Sequence, residues 1–347
     1  MKKANWIFLS LLFFTFSHSY SDNFYDHFSN SRCEPQRVDF SINDALPLID
    51  TGRIVPELPP SGEKLRLLID SDAANEIDDL YAIALALNAP DRFNIVGFVA
   101  THFAGHGPEG IEASYSLILE LLEKAGVSGK YTVKRSAHPM QYIDYPSEGE
   151  GVDFIIEQAR KATQDDPLWV VCLGAATNIA SAILKDPEII PRIRVVFHSR
   201  SSQTWPERSV QYNVTGDILA ARTLLKSKVP LVWFDTGTNL RISFEETEKH
   251  LASTGSLGEF IHDFRKKRAN WMTDQKGFFD LGDIAFLIKP ELCSLEIINA
   301  PTMNQNMYFN QKKINGKMMR VYEIKNEETW QLLFEKMGKY SNIIRKK

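Results

Sequence analysis

Five acidic side chains stand in one stretch of the chain, and they are Asp70, Asp72, Glu76, Asp78 and Asp79. Like charges crowded at one point repel one another unless a cation neutralises them. Carboxylate oxygens are hard ligands of the kind that calcium and magnesium prefer in proteins. The chemistry of this stretch therefore predicts a site built around a divalent cation.

The neighbouring residues predict the elements that hold these acids. The short apolar run Leu67–Ile69 is typical of a buried parallel strand, which is covered on both faces. Asp78 and Asp79 then open a helix, because free N–H groups and the helix dipole favour acids there. Its apolar residues follow at helical spacing: Leu80, Ile83, Ala84 and Leu87. A capped helix with a solvated acidic turn would explain one or two acids, but this density at the carboxyl end of a strand favours a ligand site.

The order of the acids resembles the aspartate signature of the inosine/uridine-preferring nucleoside hydrolases. In that family an Asp-x-Asp precedes an Asp-Asp pair, as Asp70-Ser71-Asp72 precedes Asp78-Asp79 here. The usual form has three residues between the second and third aspartates, whereas this chain has five, from Ala73 to Ile77. In this it is similar to a nucleoside-hydrolase-like branch whose motif ends Asn-Glu-Ile-Asp-Asp.

Three later segments extend the resemblance. Gly174–Ala180 matches the family's Gly-x-x-Thr-Asn-Ile-Ala turn, Gln211–Asp217 is similar to its Glu-Phe-Asn-x-x-x-Asp segment, and Phe279-Asp280 stands where the family has His-Asp. The resemblance implies a calcium ion (Ca2+) as cofactor. Its implied ligands are the side chains of Asp72, Asp79 and Asp280 and the backbone carbonyl of Leu173. A carbonyl ligand suits a hard cation.

The resemblance also assigns roles around the ion. Asp72 is the implied catalytic base, which takes a proton from the attacking water. The implied contacts to the substrate sugar are Asp78, Asn213, Gln211 and a polar residue at the end of the second strand. Thr101 and His102 are the candidates for that last role, with His102 favoured.

Two positions depart from the family pattern. Gln211 replaces a glutamate, and Phe279 replaces a histidine that helps the base to leave. Phe279 cannot donate a proton, although its ring can stack on a base or line an apolar wall. Trp205, Trp271 and Phe278 are further candidates for that wall. The histidines that could supply a missing acid are His102, His138 and His262.

Strands that alternate with helices predict an α/β fold, with a mostly parallel central sheet flanked by helices. The resemblance implies the nucleoside hydrolase-like (Rossmann-like) version of this fold. We expect three regions: a signal peptide over residues 1–21, an N-terminal arm over residues 22–63 and one hydrolase-like domain over residues 64–347. At the end of the chain, Met307–Ile324 is predicted to form a hairpin and Glu328–Met337 a closing helix.

The ends and the composition bound where the protein acts. Lys2 and Lys3 precede the apolar run Trp6–Phe16, and serines follow, which is typical of a secretory signal peptide. We therefore expect export to a periplasm or the medium, with no membrane span in the mature protein. A net charge of −4 offers no basic surface for nucleic acid.

The three cysteines form no CxxC or other metal-binding spacing. Cys172 lies in an apolar run and is expected to be a small core residue. A Cys33–Cys293 disulfide is possible in an exported protein, and the sequence leaves it open. It also leaves open whether the chain forms a homo-oligomer.

The resemblance implies hydrolysis of the N-glycosidic bond of ribonucleosides or related ribosyl compounds, releasing base and ribose. A calcium-dependent ribose- or nucleoside-binding protein with degenerate catalysis is the alternative, because Gln211 and Phe279 depart from the family. A phosphatase of the haloacid dehalogenase type also begins with Asp-x-Asp after a strand. Its later motif needs an acid where this chain has Leu287 and Ile288, so that reading is set aside.

Processing of the amino terminus tests the signal peptide. Protein recovered after expression in a secreting host should lack about 20 residues at its amino terminus, because a signal peptide is cleaved off during export. Edman sequencing or intact-mass measurement gives the new first residue. Mature protein that still begins at Met1 would contradict the prediction.

Overall fold

In the computed structural model of the protein, residues 52–58, 62–200 and 203–344 are described. The predicted signal peptide and most of the predicted arm lie outside these residues, as does Cys33. Cys172 is buried in the core as expected, and the Cys293 thiol is free and half-buried. No helix in the described part of the chain is long and apolar enough to cross a bilayer.

Eight strands of the described residues form one sheet in the order β3-β2-β1-β4-β5-β6-β8-β7. Their bounds are β1 Leu65–Ser71, β2 Phe93–Ala100, β3 Thr132–Arg135, β4 Leu168–Cys172, β5 Ile193–His198, β6 Leu231–Phe234, β7 Cys293–Met303 and β8 Phe309–Ile324. All neighbouring strands are parallel except β7 and β8. The mostly parallel sheet that the sequence predicts is therefore confirmed.

Helices cover both faces of this sheet. They are α1 Asp78–Leu87, α2 Gly107–Lys124, α3 Glu150–Arg160, α4 Thr177–Lys185, α5 Tyr212–Gly216, α6 Ile218–Lys226, α7 Phe244–Leu251, α8 Ser256–Phe264, α9 Leu281–Ile288 and α10 Asn326–Ile344. Short 3-10 turns lie at Pro187–Arg192, Arg265–Lys267, Ala269–Met272 and Pro290–Leu292.

The alternation of side chains along β1 divides the core in two. Leu67 and Ile69 pack into a core shared with α1, α2, α9 and α10, whereas Leu68 packs into a second core shared with α3, α4 and α6. Successive side chains of a strand point to opposite faces, so both faces of β1 are buried. This explains why its sequence is a continuous apolar run rather than an alternating one.

The strand order reverses between β1 and β4, and this positions the site. β1 runs next to β2 on one side and β4 on the other, and the Leu173 N–H donates to the Asp70 carbonyl at 2.8 Å. In open α/β sheets, the chain diverges above such a reversal and leaves a crevice at the carboxyl ends of the strands. The acids that follow β1 and the turn that follows β4 therefore face each other.

The prediction of a hairpin within Met307–Ile324 is wrong. β8 occupies Phe309–Ile324 as one strand, and its partner is the earlier strand β7. Gly316, with φ of 75°, lies at an irregularity where Asn299 pairs with Lys317 and Pro301 with Ile314. The Asn315 side-chain amide meanwhile binds carbonyls at the end of α6. Asn-Gly thus makes a bulge that bends the strand instead of reversing it.

Candidate active site

Four buried aspartates meet above the carboxyl ends of β1 and β4. Asp72 follows β1, Asp78 and Asp79 open α1, and Asp280 precedes α9; each is at most 4% exposed. Carboxylate oxygens of Asp78, Asp79 and Asp280 lie within 4.8 Å of one another. Asp72 does not belong to that close group. The structure therefore brings together two of the predicted carboxylate ligands, Asp79 and Asp280, and adds Asp78.

Burial shifts the acidity of these groups. Desolvation and, second, the charge of Asp78 raise the pKa of Asp79 to about 7, while hydrogen bonds from Ser71 (2.5 Å) and with Asp280 partly oppose the rise. The pKa values of Asp72 and Asp280 also lie well above the usual range, first because of burial and then because of the neighbouring acids. A buried carboxylate is costly unless paired or bound to a metal. The described acids have the chemistry to hold a metal ion.

Gly174, just after β4, lets the two strand ends approach. A Cβ atom at this position would lie 2.4 Å from Thr101 Cγ2 and 2.9 Å from Asp72 Cβ. Such contacts are far shorter than van der Waals separations, so a larger residue would displace the Asp72 side chain or the turn. Glycine is therefore needed at position 174 because a side chain would not fit between Thr101 and Asp72.

Leu173 and Asn213 are in contact with each other. The Asn213 side-chain amide donates to the Leu173 carbonyl at 2.5 Å and to the His198 carbonyl at 3.3 Å. A carbonyl oxygen has two lone pairs, so it can accept this bond and still ligate a cation. The predicted metal ligand and the predicted sugar ligand therefore occupy the same corner of the site.

Gln211 has a clear structural role. Its side-chain carbonyl accepts from the backbone N–H groups of Asn213 (2.7 Å) and Val214 (3.2 Å), which caps the start of α5. An N-cap oxygen satisfies donors that the first helical turn leaves unpaired. The cap fixes Asn213 in place, and the sugar contact predicted for Gln211 stays a prediction.

Asn178 organises a polar network that the sequence analysis did not single out. Its amide nitrogen donates to both oxygens of Asp70, at 3.2 and 3.1 Å, and its oxygen accepts from the Ala137 N–H at 2.9 Å and from the Ser136 hydroxyl at 3.1 Å. Asp70 lies two residues after Leu68 and so points to the same face, towards α4. Burial raises the pKa of Asp70 to about 8, although the hydrogen bond from Asn178 opposes this.

His102 is held by a chain of hydrogen bonds. Its Nε2 lies 2.8 Å from the Thr177 hydroxyl, which donates to Asp217 at 2.7 Å. The hydroxyl proton is therefore committed to Asp217, and His102 is the donor through Nε2. Burial, and second the nearby His138, lower the pKa of His102 to about 4. A neutral imidazole at pH 7 suits a hydrogen-bonding role better than that of a general acid.

The two extra residues of the aspartate motif, Asn75 and Glu76, contact polar groups of the site. Asn75 donates to Asp72 Oδ2 at 3.2 Å, and Glu76 pairs with the Lys276 ammonium at 2.5 Å. Lys276 is 8% exposed and lies 3.2 Å from Asp78 Oδ1. No sequence pattern indicated this lysine, because the contact joins segments 200 residues apart. The longer motif thus supplies an amide to the predicted base and a partner for a buried cation.

Phe279 lies at the edge of the site beside two cations. The Arg200 guanidinium lies 4.3 Å and the Lys276 ammonium 4.9 Å from the centre of its ring. Its backbone N–H donates to Asp78 Oδ2 at 3.1 Å, and the Asp280 N–H reaches the same oxygen at 3.5 Å. Asp78 therefore anchors the start of α9, and with it Asp280.

The other proposed aromatic residues pack against partners of their own, and the Lys276 ammonium lies over both the Phe278 and the Phe279 rings, at 5.6 and 4.9 Å. Phe278 is fully buried between Tyr81 and Trp330, Trp271 stacks on Phe264, and Trp205 packs on Phe309. His262 bonds Thr247 and packs on Phe244. A different histidine, His198 at the end of β5, has its ring centre 6.5 Å from that of Phe279. Its position at the carboxyl end of a predicted strand is the sequence feature that could have identified His198 as a site residue.

Comparison with known proteins identifies this arrangement. Over residues 67–331 the chain matches the family described as inosine-uridine preferring nucleoside hydrolase. The chain belongs to this family. The membership makes it an N-glycosyl hydrolase that acts on nucleosides, as the aspartate motif predicted.

Individual relatives are distant. The non-specific ribonucleoside hydrolase RihC of Salmonella agona is 26% identical over 268 residues, which cover 70% of this hydrolase and 85% of the relative. A plant nucleoside hydrolase, the PpNRh1 enzyme, has a TM-score of 0.65 at 16% identity and covers 80% of this chain and 99% of its own. A purine-preferring ribonucleoside hydrolase from Gardnerella vaginalis has a TM-score of 0.62 at 18% identity, with coverage of 80% and 99%. These likenesses show the shared fold.

Substitution of Gly174 tests the close approach at the site. Gly174→Ala should destabilise the hydrolase by about 1–3 kcal/mol, because the new methyl group overlaps Thr101 and Asp72. Urea denaturation measures the change. Gly338→Ala in α10 is the matched control, since its Cβ would meet nothing within 4 Å and alanine favours a helix by up to ~1 kcal/mol. Equal destabilisation by both substitutions would contradict the packing argument.

The lowered pKa of His102 predicts an acid-dependent loss of stability. Between pH 6.5 and 4 the unfolded chain binds a proton that the folded protein excludes from His102, so this contribution to stability is lost as the pH falls. The loss is up to ~3 kcal/mol. His102→Gln should therefore show a shallower decline of the unfolding free energy than wild type over this interval, and His106→Gln, at an exposed site, should not. Parallel wild-type and His102→Gln curves would refute the assignment.

Proposed function

We propose that this chain is a calcium-dependent hydrolase of the N-glycosidic bond of ribonucleosides or related ribosyl compounds. The observation that carries the proposal is the group of buried carboxylates formed by Asp78, Asp79 and Asp280, with Asp72 beside it, at the strand reversal of a nucleoside hydrolase fold. Membership of the family supports the reaction. The identity of the metal rests on the donors.

Calcium suits these donors because all of them are oxygen atoms. Asp72, Asp79, Asp280 and the Leu173 carbonyl would hold the ion, and flexible sets of carboxylate and carbonyl oxygens are typical of calcium sites. When bound, the ion would supply a Lewis acid that acidifies a water molecule and orders the sugar hydroxyls. The raised pKa values of Asp72, Asp79 and Asp280 mean that the charged carboxylates lack sufficient positive partners, which a bound cation would supply.

Asp72 is the proposed base. Burial and then the charges of Asp79 and Asp78 raise its pKa well above the usual range, and a general base must also lie within hydrogen-bond reach of the proton that it takes. The Asn75 amide fixes one of its oxygens. Asp72 therefore combines proton affinity with a defined orientation.

The remaining polar groups would hold the sugar. Asp78 is positioned by Lys276 and by the N–H groups at the start of α9, Asn213 by the Gln211 cap, and His102 by Thr177. Cleavage of a glycosidic bond builds positive charge on the ribosyl ring. Carboxylates fixed in a water-poor site stabilise such charge without reorganising.

The leaving base would meet Phe279. Its ring offers a stacking surface, and the cations of Arg200 and Lys276 lie beside it. Positive groups at this position favour a base that departs with negative charge, so we propose that the enzyme prefers leaving groups that need little protonation. The lowered pKa of His102 supports this, since it leaves that imidazole uncharged at neutral pH.

We also propose that the protein is exported, to a periplasm or the medium. The proposal is supported by the charged, apolar and small-residue succession of residues 1–21.

Calcium dependence tests the central proposal. Protein stripped with a chelator and then given calcium should gain thermal stability, by ~2.7 kcal/mol at a hundredfold excess over the dissociation constant, and should release ribose from a panel of ribonucleosides. Asp79→Asn should abolish both effects, whereas Asp165→Asn, at an exposed position, should keep both. Equal melting temperatures with EDTA and with calcium would contradict the metal. Tight binding of a nucleoside without turnover would instead support the binding-protein alternative.

A leaving-group series tests the role of Phe279. We expect p-nitrophenyl riboside to be cleaved faster than inosine or uridine, because general-acid help is typically worth ~10²–10⁴-fold and Phe279 stands in place of the proton-donating histidine. The measurement is kcat/KM for the three compounds, with wild type and Phe279→Leu, which keeps an apolar wall but loses the stacking ring. Efficient turnover of inosine by both proteins would show that an acid acts from elsewhere.

A further inference from the structure

A second group of potential ligands lies next to the aspartate site. His198 Nδ1, an oxygen of Asp280 and an oxygen of Asp283 lie within 4.8 Å of one another, and all three residues are at most 4% exposed. His198 Nδ1 is 2.7 Å from Asp283 Oδ2 and 3.8 Å from Asp280 Oδ1. His198 ends β5, and Asp283 lies in the first turn of α9, so two rigid elements fix the group.

The Asp283 carboxylate is only half satisfied. Its Oδ2 meets His198, but its Oδ1 is buried and has no hydrogen-bond partner in the described part of the chain. The two oxygens share one carbon, so the unpaired one lies beside the same group. A buried carboxylate oxygen without a partner is costly, and a bound cation would satisfy it. His198 Nε2 also has no hydrogen-bond partner among the described residues, whichever ring nitrogen carries the proton.

The charges around this group are unbalanced. The acids in and around the two groups include Asp70, Asp72, Glu76, Asp78, Asp79, Asp280 and Asp283. The ammonium of Lys276 is directed at Glu76 and Asp78. Asp283 faces the His198 imidazole, and its carboxylate gains a full counter-charge only when that ring is protonated or when a cation binds.

The donor types separate this group from the calcium ligands. Imidazole nitrogen with carboxylate oxygen suits zinc, manganese or iron, whereas calcium prefers oxygen alone. Tetrahedral zinc with ligands at ~2.0–2.1 Å holds its donors ~3.3 Å apart, so the 2.7 Å between His198 Nδ1 and Asp283 Oδ2 would have to open by about 0.6 Å. The 3.8 Å to Asp280 would close by a similar amount.

We propose that His198, Asp280 and Asp283 form a second metal site, for a divalent transition metal, and that Asp280 is shared with the calcium site. Paired metals bridged by a carboxylate are a common arrangement in hydrolases. The inference goes beyond the proposed function, since it concerns which ions the chain holds and not which glycosidic bond it cleaves.

Metal stoichiometry tests this proposal without an activity assay. The full chain is stripped with a chelator, saturated with calcium, titrated with zinc, desalted and analysed by mass spectrometry of the elements. We expect one zinc to be retained beside one calcium. Cobalt in place of zinc should give a visible absorption band of a site with nitrogen and oxygen ligands.

Two substitutions locate the zinc. Asp283→Asn keeps the shape of the side chain and should weaken zinc binding at least tenfold, as should His198→Gln, while both retain the calcium-induced rise in melting temperature. Asp165→Asn and His138→Gln, at exposed positions, are the matched controls and should bind zinc as wild type does.

Two results would overturn the second site. One is wild-type protein that loses a calcium for every zinc it gains, which would mean a single site whatever the variants do. The other is unchanged zinc retention in folded Asp283→Asn and His198→Gln. Failure of nucleoside cleavage would not affect either measurement, and the dependence of zinc retention on Asp283 and His198 can be scored whether or not calcium binds.

Discussion

The structure depends on one electrostatic constraint, the repulsion among buried carboxylates above β1. Asp72, Asp79 and Asp280 are almost fully buried, and each has a pKa raised first by burial and then by its neighbours. Folding brings these groups together at a cost that side chains alone offset only in part, through Lys276 and a few donors. Binding of a cation would relieve this repulsion, so the folded protein favours positive charge at this place. A metal-dependent glycosidase needs such a site in its active centre.

The surrounding elements serve this constraint. The reversal of strand order between β1 and β4 opens the crevice, Gly174 lets the strand ends meet, and Asn178 holds Asp70 behind the cluster. The longer aspartate motif then adds groups that shorter motifs lack, with Asn75 on Asp72 and Glu76 on Lys276. The strand ends thus form the base of the crevice, and polar loop residues line its opposite side.

Local patterns in the sequence predicted what is local in the structure. Buried strands appear as apolar runs, and the acids at the end of β1 and the start of α1 follow from motif and capping chemistry, so the sheet and most of the site could be foreseen. Contacts between distant segments could not, because a single chain gives no sign of which residues meet. Lys276, Asn178 and the pair of His198 with Asp283 are of this kind. The misplaced hairpin near Gly316 has a similar cause, since a bulge and a turn use the same residues.

The most direct test of the account is to see the ion. Crystals of the metal-loaded protein should show an anomalous peak for calcium that contacts carboxylate oxygens of Asp72, Asp79 and Asp280 and the carbonyl of Leu173. A structure from calcium-saturated crystals with no peak among these residues, and with Asp78 still paired to Lys276, would contradict it.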